Sequence, residues 1–351
     1  MKPMMNPAIA KTLTLAALSA ALIAGFGAPA RAWGDHRLLT REILGDITWL
    51  SQPEFRQIEV TPYQYTDADR SPYASTFQPI YVDRLVGEKT TAREILLRYV
   101  DEPDWGMDDD LSLSPLQSLA GGSKGYRHQR FYYLGGVLQV GDAHKRADHF
   151  YRMSKLAFSK GDPYWGFRFL ARSLHYLEDV GQPLHSRPFR IRQLLGVGFN
   201  LDKLKTLSTN YHYYYEAWVS DRLAKQQRSG SGNWVSAIRE ADEGKVKSVK
   251  DATKALSAYA RQHADELLAV SESYWPNKVK RTDAIAPIDP RLLAPPQPPA
   301  GWKTLDRLTE NALHVTAKVT KGFLAFAYRD AVTQTQPKSP DAGWGGLRDL
   351  D

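Results

Sequence analysis

The sequence contains no cysteine. Disulfide staples, thiolate zinc sites, iron–sulfur clusters and a cysteine nucleophile are therefore excluded, and a bound metal must rest on His, Asp, Glu or backbone groups. A strong charge bias is also missing. Lys and Arg number 46 against 39 Asp and Glu, and the resulting +7 is too small to argue for nucleic acid by itself. Beyond residue 32 no apolar run approaches the ~20 residues needed to cross a bilayer. There is no alternating strand ladder and no internal repeat. What the 351 residues do contain is a 42% hydrophobic fraction, enough for a sizeable core, and nine histidines.

The first 32 residues read as an export signal. Lys2 and Lys11 supply a positive start, Leu13 to Phe26 forms an apolar run, and Ala30-Arg31-Ala32 fits the small-x-small rule for cleavage. Such a run, roughly 14 residues, is short for a membrane anchor. Cleavage after Ala32 predicts a secreted or periplasmic protein whose first residue is Trp33. A free α-amine is a ligand that an internal amide nitrogen cannot imitate. Its reference pKa of about 7.7–8.0 lets a metal displace its proton near neutral pH.

The rest reads as mostly helical. Leu39, Ile43, Ile47 and Leu50 mark an amphipathic helix over 36–50. Further helices are expected at 91–100, 144–159, 163–180, 204–226 and 247–275, with Pro163 suited to a first helical turn. The last helix carries a stripe of Leu305, Leu308, Ala312, Val315, Val319, Phe323 and Phe326. Residues 51–90, 111–125 and the proline-rich 278–302 read as loops, and 51–90 and 278–302 are candidates for substrate or membrane contact. The expected fold class is all-α: a single multi-helix domain over 33–331 with long loops, after a signal over 1–32 and before a disordered polar tail over 332–351.

The histidines and carboxylates form a pattern. His175 and Asp179 are four apart on one helix face, Pro183 ends that helix, and His185 follows where the chain can turn back. His212 and Glu216 repeat the four-residue spacing. His128 follows a glycine-rich loop, and His36 lies three residues after Trp33. Without thiolates, zinc takes imidazole nitrogen and carboxylate oxygen, and a His–acid pair at i and i+4 supplies two such ligands from one rigid element. Each pair alone is more often a surface ion pair. His144, His149, His263 and His314 lack such partners and read as surface or packing residues.

The run SLHYLEDVGQPLH over 173–185, with His212-x3-Glu216 and a Trp33 closely followed by His, resembles the zinc-dependent phospholipase C family of secreted bacterial enzymes. That family shares a superfamily with the single-strand-specific zinc nucleases. The resemblance implies an all-α fold around three zinc ions. Asp101, His128, His175 and Asp179 would hold the first ion. His185, His212 and Glu216 would hold the second. The Trp33 amine and carbonyl, His36 and a bridging Asp179 would hold the third. Asp101 would also orient or deprotonate the attacking water, and Tyr126 and Glu102 stand where substrate contacts are expected.

The implied reaction is metal-assisted phosphodiester hydrolysis. Glu216 as last ligand favours a phospholipid, cut at a membrane surface to diacylglycerol and a phosphorylated head group, since the nucleases use Asp there. The short Trp33–His36 spacing is nearer the nucleases, so single-stranded nucleic acid is the alternative substrate, with Tyr211, Tyr213, Tyr214 and Tyr215 available either to stack bases or to pack the helix. A third reading is a non-catalytic zinc-binding or membrane-adhesion protein.

Overall fold

A computed structural model describes residues 33, 35–65, 84–133, 138–187, 191–198, 200–295 and 301–333. The expected export signal and nearly all of the expected polar tail lie outside these residues. The chain is mostly helical, as expected. Twelve α-helices are present among the described residues: α1 His36–Gly45, α2 Ala92–Tyr99, α3 Ser123–His128, α4 Ala143–Ser159, α5 Pro163–Gly181, α6 Ile191–Gly196, α7 Leu201–Ser229, α8 Asn233–Arg239, α9 Val249–Tyr274, α10 Pro276–Val279, α11 Pro290–Leu293 and α12 Trp302–Ala327. None is long and apolar enough to span a membrane.

Helix α5 is the centre of the domain. Every residue from Tyr164 to Gly181 is buried, the signature of a helix surrounded on all sides. Pro163 occupies its first turn, and the Asp162 side chain caps it by accepting from Trp165 N at 3.2 Å. Helix α4 packs along α5, locked by Ser154 Oγ donating to Gly166 O and Ser173 Oγ donating to Ala147 O, both at 2.7 Å. Helices α2, α9 and α12 also pack against α5. At Gly181 a Cβ would meet Thr316 Oγ1 at 2.4 Å, so glycine is what lets α12 approach the end of α5. The expected stripe on α12 faces the core through Leu305, Leu308, Ala312 and Phe323, with Val315 and Phe326 at its half-buried edge.

The loops are more structured than composition suggests. Residues 51–90 are not a purely surface excursion: Phe55, Ile58 and Val60 are buried, and strand β1 (Ile58–Glu59) pairs antiparallel with β2 (Lys89–Thr90). A second hairpin joins β3 (Phe131–Tyr133) to β4 (Leu138–Val140). Two-residue and three-residue strands are too short to leave an alternating pattern in the sequence. The 278–302 loop is pinned to α7, where Asn210 Nδ2 donates to Arg281 O at 3.0 Å and to Ala284 O at 3.1 Å, and Ala286 N donates to Asn210 Oδ1 at 2.7 Å.

Candidate metal centre

His175 and Asp179 lie one turn apart on the fully buried α5, so both are carried into the core by the packing of that helix. A 3-10 turn, Pro183–His185, then returns His185 toward the same place. The Gln182 side chain shapes this turn by accepting from Leu184 N, and it also donates to Glu216 Oε1 at 3.1 Å. Helix α3 brings in His128. Its tight start depends on Gly125, whose Cβ would lie 1.8 Å from Ala120 O. Helix α1 presents His36, and α7 presents His212 and Glu216.

All five histidines converge as expected, and all are buried. Asp179 is the hub. Its Oδ1 lies 3.6 Å from His36 Nε2 and 3.3 Å from His185 Nδ1, and its Oδ2 lies 2.9 Å from His128 Nδ1 and 3.4 Å from His175 Nε2. His175 Nε2 and His128 Nδ1 are 3.0 Å apart. On the far side His185 Nε2 lies 3.3 Å from Glu216 Oε1, and the His185 and His212 rings are 5.1 Å apart. Two sets have ligand atoms close enough to share one cation: His36, His175 and Asp179, and Asp104, His128 and His175.

Two corrections concern the segment after α2. The carboxylate that joins His128 and His175 is Asp104, not Asp101. Asp101 is buried at the start of a 3-10 turn, Glu102–Trp105, and its carbonyl accepts from Asp104 N at 3.0 Å. That turn advances the chain, so the residue that reaches the histidines comes three positions after the end expected from the apolar helix. Glu102 is not available to a substrate. It is buried between two guanidinium groups, with Arg168 Nη2 at 2.5 Å from Oε1 and Arg172 Nε at 2.8 Å from Oε2. Burial alone would raise its pKa, but the charges of Arg168 and Arg172 bring it down to about 2. Tyr126 is half-buried and packs on a small apolar cluster of Ala120, Phe131 and Val140.

Trp33 is anchored beside the cluster. Its buried ring donates from Nε1 to Glu178 O at 2.9 Å, and its carbonyl accepts from Ser220 Oγ at 3.1 Å. Its φ of 54° lies in the left-handed region, uncommon for a large side chain. The tyrosines of α7 answer the packing reading: Tyr211, Tyr214 and Tyr215 are buried.

Two further acids were not anticipated. Glu178 Oε2 accepts from His36 Nδ1 at 2.8 Å, while Thr40 Oγ1 donates to Oε1 at 3.0 Å. Asp108 Oδ2 lies 3.1 Å from His128 Nε2 and accepts from the Tyr176 hydroxyl. The sequence signal for Glu178 was a carboxylate in a largely apolar helix, directly beside the assigned ligand Asp179. Asp108 stood unmarked in a run of three aspartates.

The electrostatics are those of a crowded, dry cluster. Burial opposes charge on His128 and His185, but neighbouring carboxylates, above all Asp179, push both up to about 9. His36 is also raised, because the neighbouring Asp179 and Glu178 carboxylates outweigh burial. His175 and His212 fall to about 3, first through burial and then through the charge of a neighbouring histidine. Burial lifts Glu216 to about 7, whereas the His175 and His128 charges hold Asp179 well below the usual carboxylate range. Several buried atoms have no hydrogen-bond partner among the described residues: His36 Nε2, His212 Nε2, Glu216 Oε2 and Asp104 Oδ2. Orphans of this kind are costly unless something coordinates them.

A scan against protein-family models finds no match to this chain, and a search of curated proteins finds none either.

Proposed function

We propose that the protein is an exported zinc-dependent phosphodiester hydrolase, and within that class a phospholipase C releasing diacylglycerol. The observation that carries this reading is the set of orphaned imidazole and carboxylate atoms around Asp179. The donors are nitrogen and oxygen only, which suits zinc in a chain without thiols. Asp104, His128, His175 and Asp179 would hold one ion, His185, His212 and Glu216 a second, and His36, Asp179 and Trp33 a third. Zinc bound there supplies Lewis acidity toward a phosphoryl oxygen and acidifies water toward neutral pH.

The chain's own residues do the positioning. Asp104 takes the role expected of Asp101: its carboxylate is ionised, with a pKa brought down to about 2 by Lys124 and the nearby histidines against the effect of burial, and it can orient a water or accept its proton. Glu178 and Asp108 hold the His36 and His128 rings. A narrow recess beside His212 is walled by Phe131, Leu184, Tyr211 and Leu268, with Arg187 at its side. The test is hydrolysis of phosphatidylcholine, phosphatidylethanolamine and single-stranded DNA by the same preparation, with and without zinc. Zinc-dependent diacylglycerol release is expected. Cleavage of DNA alone would move the protein to the nucleases, and inactivity on all three would leave a non-catalytic zinc protein.

A further inference from the structure

We propose that the chain has a second ligand site, separate from the histidine cluster, that binds a phosphate-monoester anion. The site is a cavity of about 650 Å³ between the N-terminal turns of α4 and α9. That volume falls within the ordinary range for small-molecule pockets. Arg130, His144, Lys145 and Lys250 line it, together with Thr253, whose buried hydroxyl donates to Lys250 O at 3.2 Å.

The charge balance decides the class of ligand. Two lining groups are neutralised locally: Arg152 pairs with Asp148 at 2.6 Å, and Lys145 with Asp142 at 2.8 Å. No carboxylate pairs with Arg130 or Lys250 among the described residues. Nor does one pair with Arg261, whose guanidinium lies 4.3 Å from the Tyr132 ring centre while that of Arg130 lies 5.4 Å from the same ring. Two guanidinium groups sharing one aromatic ring without an acid between them repel each other. An anion relieves that repulsion, and a cation would add to it.

Unused donors point the same way. Arg130 Nε is buried without a hydrogen-bond partner. His144 Nε2 accepts from the Gln139 amide at 3.1 Å, so the neutral ring carries its proton on Nδ1, and that buried atom has no partner either. Burial, followed by the Arg130 charge, brings His144 down to about 4 and keeps the ring neutral near pH 7. The cavity thus offers guanidinium, ammonium and imidazole N–H groups. These match the several acceptor oxygens and the double charge of a phosphate monoester better than the single charge of a carboxylate. His144 and Lys145 stand in the first turn of α4 and Lys250 in the first turn of α9, so cationic groups gather at two helix N-termini, where Asp142 and Asp251 are the acids present.

Binding of inorganic phosphate by calorimetry tests the site. The zinc-loaded full chain is compared with Arg130→Ala/Lys250→Ala and with Lys250→Ala alone, an exposed position whose loss does not threaten folding. Metal content and circular dichroism are followed in parallel. Phosphate captured by the zinc ions is unaffected by these substitutions, which separates the two sites. A second arm sediments phosphatidylcholine vesicles with and without phosphatidic acid. The double variant is expected to lose at least tenfold in affinity, and the single variant several-fold, with zinc content unchanged. Loss confined to free phosphate assigns a soluble monoester, and loss confined to phosphatidic acid vesicles assigns a lipid head group; both support the site. Unchanged binding of both ligands in the double variant overturns it.

Discussion

Glu178 accepts a hydrogen bond from His36 Nδ1 at 2.8 Å, both groups fully buried. Because Nδ1 carries the proton, Nε2 is left facing Asp179, the arrangement of a carboxylate that fixes the tautomer of a metal-binding histidine. Thr40 holds the other carboxylate oxygen at 3.0 Å. Glu178→Ala should weaken binding of the ion held through His36 by roughly 10- to 100-fold. Competition against a chromophoric chelator measures this. Undiminished affinity would reduce Glu178 to a packing residue.

Asp104 and Asp101 separate cleanly by mutation. Asp104→Asn removes the carboxylate that meets His128 and His175 and should lower kcat by about 100-fold or more, the scale of losing a general base or a ligand. Asp101→Asn should stay within about tenfold of the wild type, with any loss following stability instead of metal content. Paired kinetics and metal analysis of the two variants distinguish them, and the reverse order of effects would restore Asp101 to the centre.

Metal removal should be felt in both activity and protons. A chelator should abolish hydrolysis and zinc should restore it. In the metal-free chain the carboxylates beside His128 and His185 hold both near 9, so these rings are protonated at pH 7 and must release protons to bind zinc. Zinc affinity should therefore rise with pH between 6 and 9. Titrations in buffers of different ionisation enthalpy count the released protons, and uptake without proton release would contradict the assignment.

Acid stability should depend on Glu102. Its folded pKa is brought from 4.5 to about 2 by Arg168 and Arg172, which outweigh burial. A depressed carboxylate contributes stability above its unfolded pKa, and that contribution is lost as pH falls from about 5 to 2, to the extent of roughly 3 kcal/mol. Glu102→Gln should be destabilised at pH 7, and its denaturant midpoint should vary less between pH 5 and 2 than that of the wild type. Parallel pH profiles for the two proteins would refute this interpretation.

His175 with Asp179 and His212 with Glu216 were legible in the sequence because a helix fixes what i and i+4 share, whereas His36 and His128 entered the set only through the resemblance to the zinc-dependent phospholipases C. The two helical pairs needed no tertiary knowledge to be placed on one face. Asp104 was harder, since choosing it over Asp101 required knowing that a 3-10 turn follows α2. Glu102 misled for the same reason: its neighbours in space, Arg168 and Arg172, are about seventy positions away in the chain. The cationic cavity was illegible altogether. His144 and His149 show no pattern in one dimension, and only the packing of α4 beside α9 places Lys250 opposite them. In the fold, the long helices were visible by period, while α8 and the two hairpins are too short to announce themselves.

The all-round burial of α5 has a further consequence. A helix with no exposed face has no edge from which to fray, so its central amides exchange hydrogen only when the whole domain opens. The cluster's hub sits on that same helix. Ions held by Asp179 and His175 would stabilise the folded state against every opening that frees them, and occupancy would set the lifetime of the entire domain as well as its chemistry.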